Sequence, residues 1–505
     1  MCWQPMYPSQ TTFHVNMEKN NTRSNNCKVL VIGSGLSAYG ACLALMENPV
    51  VSVTVIDIGL EKSYLGQPNY EVPNSTSYKG SNFVYGLNDD RWPVKLITKR
   101  MCSSHAIGGF AKVYSGSILK PRDSDMHDWP LESRPTAQDY NTVLSSLYIW
   151  QQEDELHKYF SCYPIVEDVE IEGNTYIGAP RLALSKIAPK EIPFDPADDF
   201  RKWSEEGRIT YMSNSYVLEF ESTGNKVLTK IQQNSQVEAL TFDRIYIGAG
   251  CINTTSIVDR SLFGHGSRTY KIKMARIILL LYLQLPCRRR EVMQSSKVRS
   301  ILNDDLCKIF MEHRAPSTKN LWSHTQINNL NSTILDTILR KLPYDFGHFL
   351  LRVRGLFKFS ISVFHSKLGP ESTLVSQISQ YNANHLKQFI DINENCSNDN
   401  MSLSLSIARA ILSKFNRLYL LPLPLSHIIA DMVRGNRLGG WHYGGTLPMT
   451  DDPRNPTDLK TNGELNGAKN VFVIDASGFP SIPGGTVALL TMANAYRIAK
   501  RSLIY

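Results

Sequence analysis

His442 stands in GGWHYGGTLPM, residues 439–449, where four glycines and two large aromatics surround a single imidazole. An imidazole titrates near neutral pH, so here it can take a proton from a hydroxyl group, or it can serve as a hydrogen-bonding piece of a packed turn. A second set of residues is Gly33-x-Gly35-x-x-Ala38 with Asp57 further on. Gly33 permits a tight turn, Gly35 lets a pyrophosphate approach the backbone at a helix N-terminus, and Ala38 keeps helix and strand close. Asp57 follows Gly35 by 22 residues, and a carboxylate there accepts hydrogen bonds from the two hydroxyls of a ribose. That acid disfavours a 2′-phosphate, which leaves FAD or NAD as the dinucleotide.

Local patterning supplies the elements these residues need. In CKVLVIGSGLSAYGACLALMEN, residues 27–48, a β-branched run from Val29 to Ile32 stops at the glycines, and Ala38, Ala41, Leu45 and Met46 then recur at helical spacing. VSVTVIDI at 51–58 is a second buried strand, so the segment reads as a βαβ unit. Residues 60–100 are rich in Gly, Pro, Asn and Ser and read as a long loop. DPADDFRKWSE at 195–205 predicts a helix with an acidic first turn, RITYMSNSYVLEFES predicts strands, and DRIYIGAG at 243–250 is a strand running into glycines.

From about 266 to 434 the composition changes, with strands predicted near 304–312, 321–328 and 356–366 in a separate substrate-facing lobe. The apolar run ARIILLLYLQLP at 275–286 is too short for a bilayer and reads as a buried strand or helix. NVFVIDAS, GFPSIPGG and TVALLTMANAYRIAKRSL then return to strand, turn and helix. A nucleotide domain completed by a strand and helix from the far end of the sequence suits a long cofactor, which favours FAD over NAD.

Bulk properties narrow the class. A chain of 505 residues exceeds what one hydrophobic core usually serves, and its 42% hydrophobic and 20% charged content is that of a soluble globular protein. The net charge of +8 comes from 54 basic and 46 acidic residues mixed along the chain. The densest basic run, CRRREVMQSSKVR at 287–299, is short and reads as a solvated face, so no nucleic-acid partner is expected. Nine scattered cysteines without a CxxC pair suit neither a metal site nor a disulfide framework. Neither a secretory signal nor a transmembrane segment is visible, which points to a cytoplasmic setting.

Taken together, the N-terminal fingerprint, AIGGFAKVYSG, WHYGGT and NVFVIDASGFPSIPGGTVALLTMANAYRIA resemble the glucose–methanol–choline (GMC) oxidoreductases. The resemblance spans roughly 27–120, 205–262 and 435–503. It implies an α/β fold: a Rossmann-like FAD-binding domain from 27–120, 205–265 and 435–505, and an inserted α+β substrate-binding domain from 121–204 and 266–434, with 1–26 as a flexible N-terminus. By the same resemblance Gly108 and Gly109 lie along the pyrophosphate and flavin, Gly248, Ala249 and Gly250 form a second glycine turn, and Asp475, Ala476 and Ser477 lie beside the ribityl chain. The helix starting near Thr486 and Val487 would aim its positive end at the flavin pyrimidine.

His442 matches the family's active-site histidine in His442-Tyr443-Gly444-Gly445-Thr446, which implies a base for alcohol oxidation with hydride passing to flavin N5. Thr486 occupies the position where a second His or Asn is usual; it can hydrogen-bond a substrate oxygen but is no base. No histidine follows Gly108-Gly109 in FAKVYSG, and His105 precedes the glycines, so noncovalent FAD is expected. Short strings such as DMHDWP resemble bacterial-type members linked to polysaccharide synthesis, which implies a sugar or glycosyl alcohol, with Asp128 and Trp129 as a sugar platform or a loop anchor. The electron acceptor would be oxygen, a quinone or a carrier protein. A binding protein on the same scaffold, holding FAD or another nucleotide without catalysis, is the competing expectation.

Overall fold

The computed structural model describes residues 27–60, 93–97, 103–151 except 113 and 115, 163–164, 174–178, 181–185, 193–284 except 234 and 235, 307–314, 322–329, 358–367, 371–382, 385–395, 420–422 and 442–504. The basic run at 287–299, the N-terminal 26 residues and Trp441 lie outside the described residues.

The architecture is mixed α/β. Its centre is a parallel five-stranded sheet of β1 (Cys27–Ile32), β2 (Val51–Ile56), β3 (Ile209–Met212), β4 (Arg244–Ile247) and β5 (Val471–Val473). The spatial order is β5-β4-β1-β2-β3. Val29, Leu30, Val31 and Ile32 are all buried. An unbroken apolar run, with no polar alternation, is what a strand covered on both faces requires. Successive strands run outward from β1 in one direction as β2 and β3 and in the other as β4 and β5, so the order reverses between β1 and β4. A crevice forms at such a reversal, beyond the carboxyl ends of the strands.

Five α-helices are present among the described residues: α1 (Leu36–Leu45), α2 (Ala137–Ser146), α3 (Pro196–Glu205), α4 (Cys251–Phe263) and α5 (Ala488–Ser502). The expected helix at 195–205 is α3, opened by Asp195 as N-cap and Pro196 in the first turn. Its Trp203 stacks on Tyr39 of α1 with ring centroids 5.4 Å apart. The α2 helix begins with a Thr136–Asp139 capping box. Helices α1 and α5 pack so closely that a Cβ on Gly40 would run into the Met492 carbonyl.

The remaining sheets are antiparallel or mixed. Strands Ser215–Thr223, Lys226–Gln233 and Gln236–Phe242 form a meander. A five-stranded sheet takes Tyr443–Gly444, Gly266–Met274, Glu371–Asn382, His385–Asn395 and Val94–Leu96. A seven-stranded sheet takes Leu420–Pro422, Arg276–Gln284, Lys358–Ser366, Trp322–Asn329, Cys307–Arg314, Thr175–Gly178 and Tyr163–Pro164. The apolar run near 276 is therefore a strand. Within the segment expected to be only loop, Val94–Leu96 forms a strand, because its backbone can add to the edge of His385–Asn395. Among the described residues of 266–434 no helix occurs, so the helical share of that expectation rests on α2 and α3.

Replacing Gly40 by Ala is expected to lower stability by about 1–3 kcal/mol, because the methyl meets backbone that cannot swing away. Thermal denaturation of the Gly40→Ala variant, beside wild type, measures it.

Candidate functional site

The loop after β1 and the loop after β4 touch main chain to main chain. Gly33 has φ +103°, and a Cβ there would lie 2.5 Å from the Gly248 carbonyl oxygen. Gly35 caps α1 with no side-chain hydrogen bond, and no acidic residue occupies the first turn, so the helix N-terminus is chemically suited to an anion. Gly108 and Gly109, both at positive φ, lie against it: a Cβ on Gly109 would be 3.5 Å from the Gly35 Cα. The Ser34 hydroxyl joins these pieces, accepting from the Gly108 N–H at 2.9 Å while donating to Asp57. Lys112 pairs with Asp195, which fastens the turn after Gly109 to the α3 cap.

Asp57 sits at the end of β2. Burial raises its pKa to about 7, opposed by hydrogen bonds from Ser34, the Gly59 and Ile58 backbone and Tyr211. A carboxylate this dehydrated gains most from a partner that brings hydroxyl donors. Gly33, Gly35, Ala38, Asp57, Gly108 and Gly109 are thus together, and Gly250 joins them from the β4 side with φ +82° and no atom within 4 Å of where its Cβ would lie. Glycine cradle, uncapped helix end and half-buried ribose-type acid fit the pyrophosphate and ribose of a dinucleotide.

Asp475 is not directed at a ligand in the same way. Its Oδ2 accepts from the Gly250 N–H at 2.8 Å and the Thr254 hydroxyl at 2.5 Å, and its Oδ1 accepts from Ser477 N–H at 2.9 Å and Ser477 hydroxyl at 2.5 Å. Burial raises its pKa even so. The side chain ties the turn after β5 to the start of α4.

Backbone pairing sets His442. The Ala275 N–H donates to the His442 carbonyl at 2.9 Å, Gly445 N–H to Ala476 O at 2.8 Å, and Leu447 N–H to Ser477 O at 2.9 Å. A Cβ on Gly444 would meet the Ala476 carbonyl, which explains the glycine. Thr446 is buried against Thr255, with hydroxyl oxygens 2.6 Å apart. The His442 imidazole has its pKa lowered to about 4, first by burial and then by the charge of His324, with a hydrogen bond to the Gly485 backbone opposing.

Next to it lies a cleft lined by Leu119, Arg122, Asp125, Glu312, His324 and Thr486, among others. Thr486 uses its hydroxyl internally, accepting from Leu119 N–H at 3.1 Å and donating to Leu119 O at 3.4 Å, which leaves one lone pair for anything in the cleft. Val487 caps α5 without a side-chain bond. Asp125 has its pKa raised to about 7 by burial, with Lys367 opposing. Trp129 is core: its ring packs on Phe479 at 4.9 Å and its Nε1–H donates to Ser481. Asp128 accepts from Ser481 and Lys367, so the loop-anchor reading of DMHDWP is the one realised.

Sequence reasoning missed Arg122, Asp125, Glu312 and His324. The only signal for Glu312 and His324 was polar residues within strands such as WSHTQINN, which register alone turns into a site. Arg122 and Asp125, at the cap of and within the short helical turn Asp123–Met126, gave none.

Residues 416–495 match the family model described as GMC oxidoreductase. No curated protein matches the chain in sequence. Among solved structures, pyridoxine 4-oxidase from Mesorbium loti is similar at TM-score 0.58 and 14% identity, covering 95% of this chain and 100% of that one. A fungal aryl-alcohol oxidase gives 0.55 and 13%, covering 95% and 100%. A formate oxidase of Aspergillus oryzae RIB40, solved to study FAD modification, gives 0.62 and 12%, covering 94% and 98%. The fold is shared with these oxidases, and the C-terminal segment is of the GMC oxidoreductase type. No helix among the described residues is long and apolar enough to cross a membrane.

Asp475→Asn is expected to cost about 1–3 kcal/mol, since the amide turns a donor toward groups that already donate. A lowered midpoint in urea denaturation is the readout.

Proposed function

We propose that the protein is an FAD-dependent oxidoreductase acting on CH–OH donors, which takes an alcohol to its carbonyl with His442 as the base. The observation that carries this reading is His442 itself: a partly buried imidazole on a backbone fixed by pairing, with Gly485 and His324 of the Thr486-lined cleft as its neighbours. When bound, FAD supplies the hydride acceptor. Gly33, Gly35, Gly108, Gly109 and Gly250 would leave room for its phosphates and Asp57 would take the ribose hydroxyls, with Ala38 keeping α1 on β1.

In this reading Asp475, Ala476 and the uncapped start of α5 at Val487 border the flavin side of the cleft. Thr486 offers its remaining lone pair to a substrate hydroxyl. Noncovalent FAD fits a glycine pair with no histidine after it, and a cytoplasmic setting remains part of the proposal. The division into 27–120, 205–265 and 435–505 against 121–204 and 266–434 is supported by the parallel sheet drawing its five strands from the first set. A sugar or glycosyl alcohol is the proposed donor, and oxygen, a quinone or a carrier protein the proposed acceptor. A binding protein without turnover is the second reading, favoured by the engagement of Thr486 with Leu119.

An anaerobic absorbance spectrum with and without sugars and simple alcohols separates the two. Flavin bands that bleach in wild type and bleach about 10²–10⁴-fold more slowly in His442→Ala are expected; flavin that no alcohol reduces would favour the second reading.

The pH dependence has a definite sign. With the folded pKa near 4 against 6.5 ordinarily, His442 is neutral and able to accept a proton throughout the range above about 4. The acid limb of kcat/KM should therefore fall near pH 4 and not near 6.5. The same difference makes the fold lose stability as pH drops from 6.5 through 4, because the unfolded chain then binds a proton that the buried ring refuses.

A further inference from the structure

Strands Cys307–Arg314 and Trp322–Asn329 pair antiparallel, with Glu312 directly opposite His324. Residues so paired project from the same face of a sheet with adjoining side chains. Both are buried, at 7% and 2% exposure, yet both line the cleft that also holds Gly485 and Thr486. His324 Nδ1 lies 3.7 Å from Glu312 Oε1.

The two carboxylate oxygens of Glu312 have separate tasks. Oε2 receives the Arg122 guanidinium, from Nε at 2.9 Å and Nη2 at 2.5 Å. Arg122 is in turn fixed by the faces of Trp322, at 4.9 Å, and Tyr176, at 5.3 Å. One arginine therefore answers the charge of the carboxylate, and Oε1 is left to address His324. Burial works to raise the Glu312 pKa, but His324 and Arg122 together hold it below the usual carboxylate value, so Glu312 is an anion. The Phe310 ring, edge-on at 4.8 Å, restrains the imidazole further.

Titratable residues also stand on elements packed against this pair. The 119–125 segment brings Lys120, Arg122 and Asp125, and Lys367 reaches Asp125 and Asp128. On the far neighbouring strand, Lys358–Ser366, His365 holds the register position opposite His324. His442 comes from the last segment, and its ring is influenced by the charge of His324.

We propose, resting on the alcohol-oxidation reading above, that His324 is the second substrate-contacting group of the cleft, with Glu312 as its positioning residue. In this arrangement Glu312 Oε1 orients the His324 ring, whose N–H donates a hydrogen bond to the substrate's reacting hydroxyl oxygen. The substrate O–H bond breaks toward His442, which gains that proton, while His324 keeps its own. A donor aimed at the oxygen stabilises the alkoxide character that develops as the proton leaves. His324 also disfavours a proton on His442, so one side chain both stabilises the oxygen and keeps the base able to accept. The seven-stranded sheet thus supplies the polar side chain that Thr486, engaged with Leu119, supplies only in part.

The test uses the full-length flavoprotein and the variants His324→Gln and Glu312→Gln, each checked by circular dichroism for wild-type folding. The first readout needs no substrate: the titration midpoint of His442 by NMR. It is expected to rise in His324→Gln toward the ordinary imidazole value, a change that a purely structural role for that ring would not produce, while Glu312→Gln, which keeps the ring but not its carboxylate, is read by the second measurement. The second is the rate of anaerobic flavin reduction by an alcohol that reduces wild type. It should fall at least about tenfold in His324→Gln, mostly in the limiting rate and little in the substrate concentration at half-saturation. Unchanged His442 titration with an unchanged reduction rate in His324→Gln would overturn the proposal while leaving the alcohol reading intact. A wild-type flavin that no alcohol reduces, with the titration shift still present, would overturn the alcohol reading and with it the substrate role of His324.

Discussion

Main chain must touch main chain where distant parts of the sequence meet, and the rest of the architecture depends on it. Gly33 abuts the Gly248 carbonyl, Gly40 abuts Met492, and Gly444 abuts Ala476. Each contact joins segments more than thirty residues apart, two of them more than two hundred apart, with no room for a side chain. Close packing of this kind tolerates almost no volume change, so these glycines act as fixed points around which the larger side chains are arranged. The parallel sheet, the crevice at the β1 and β4 loops and the placement of His442 all follow from the same requirement.

Around those points the structure handles buried carboxylates in different ways. Asp475 is satisfied by four donors from its own surroundings and serves as a tie between segments. Asp57, at intermediate burial, is met by Ser34, Tyr211 and the Ile58 and Gly59 backbone and also has a raised pKa. Glu312 has an arginine on one oxygen and a histidine near the other. A buried acid is costly unless paired or hydrogen-bonded, and each of the three is answered by a different set of neighbours.

Legibility in the sequence followed the range of the interaction. The turn from Val29 through Gly33 to Ala38 was readable because strand, turn and helix are written in neighbouring residues. The strands near 307–314, 322–329 and 358–366 were readable as elements for the same reason. Their partners were not: nothing local says that Glu312 faces His324, or that Arg122 closes on Glu312 from 190 residues away. Thr486 could be located but its bond to Leu119, 367 residues distant, could not be foreseen. Trp129 in DMHDWP had the composition of a sugar platform, and only tertiary packing against Phe479 and Ser481 makes it core. Val94–Leu96 lies in a stretch without periodicity and becomes a strand by joining the edge of another sheet.

The parallel sheet has an implication for how the chain is made. Strand β5 and helix α5 come from residues 471–502, yet they complete the layer begun by β1 and β2 at 27–56. During synthesis the first βαβ unit must wait for more than four hundred further residues before its neighbour beyond β4 exists and before α1 can cover its bare Gly40 face. Contacts so distant in sequence form slowly, because loop closure precedes their reward. The nascent N-terminal segment therefore spends translation as an incomplete apolar layer, the kind of surface that chaperones shield.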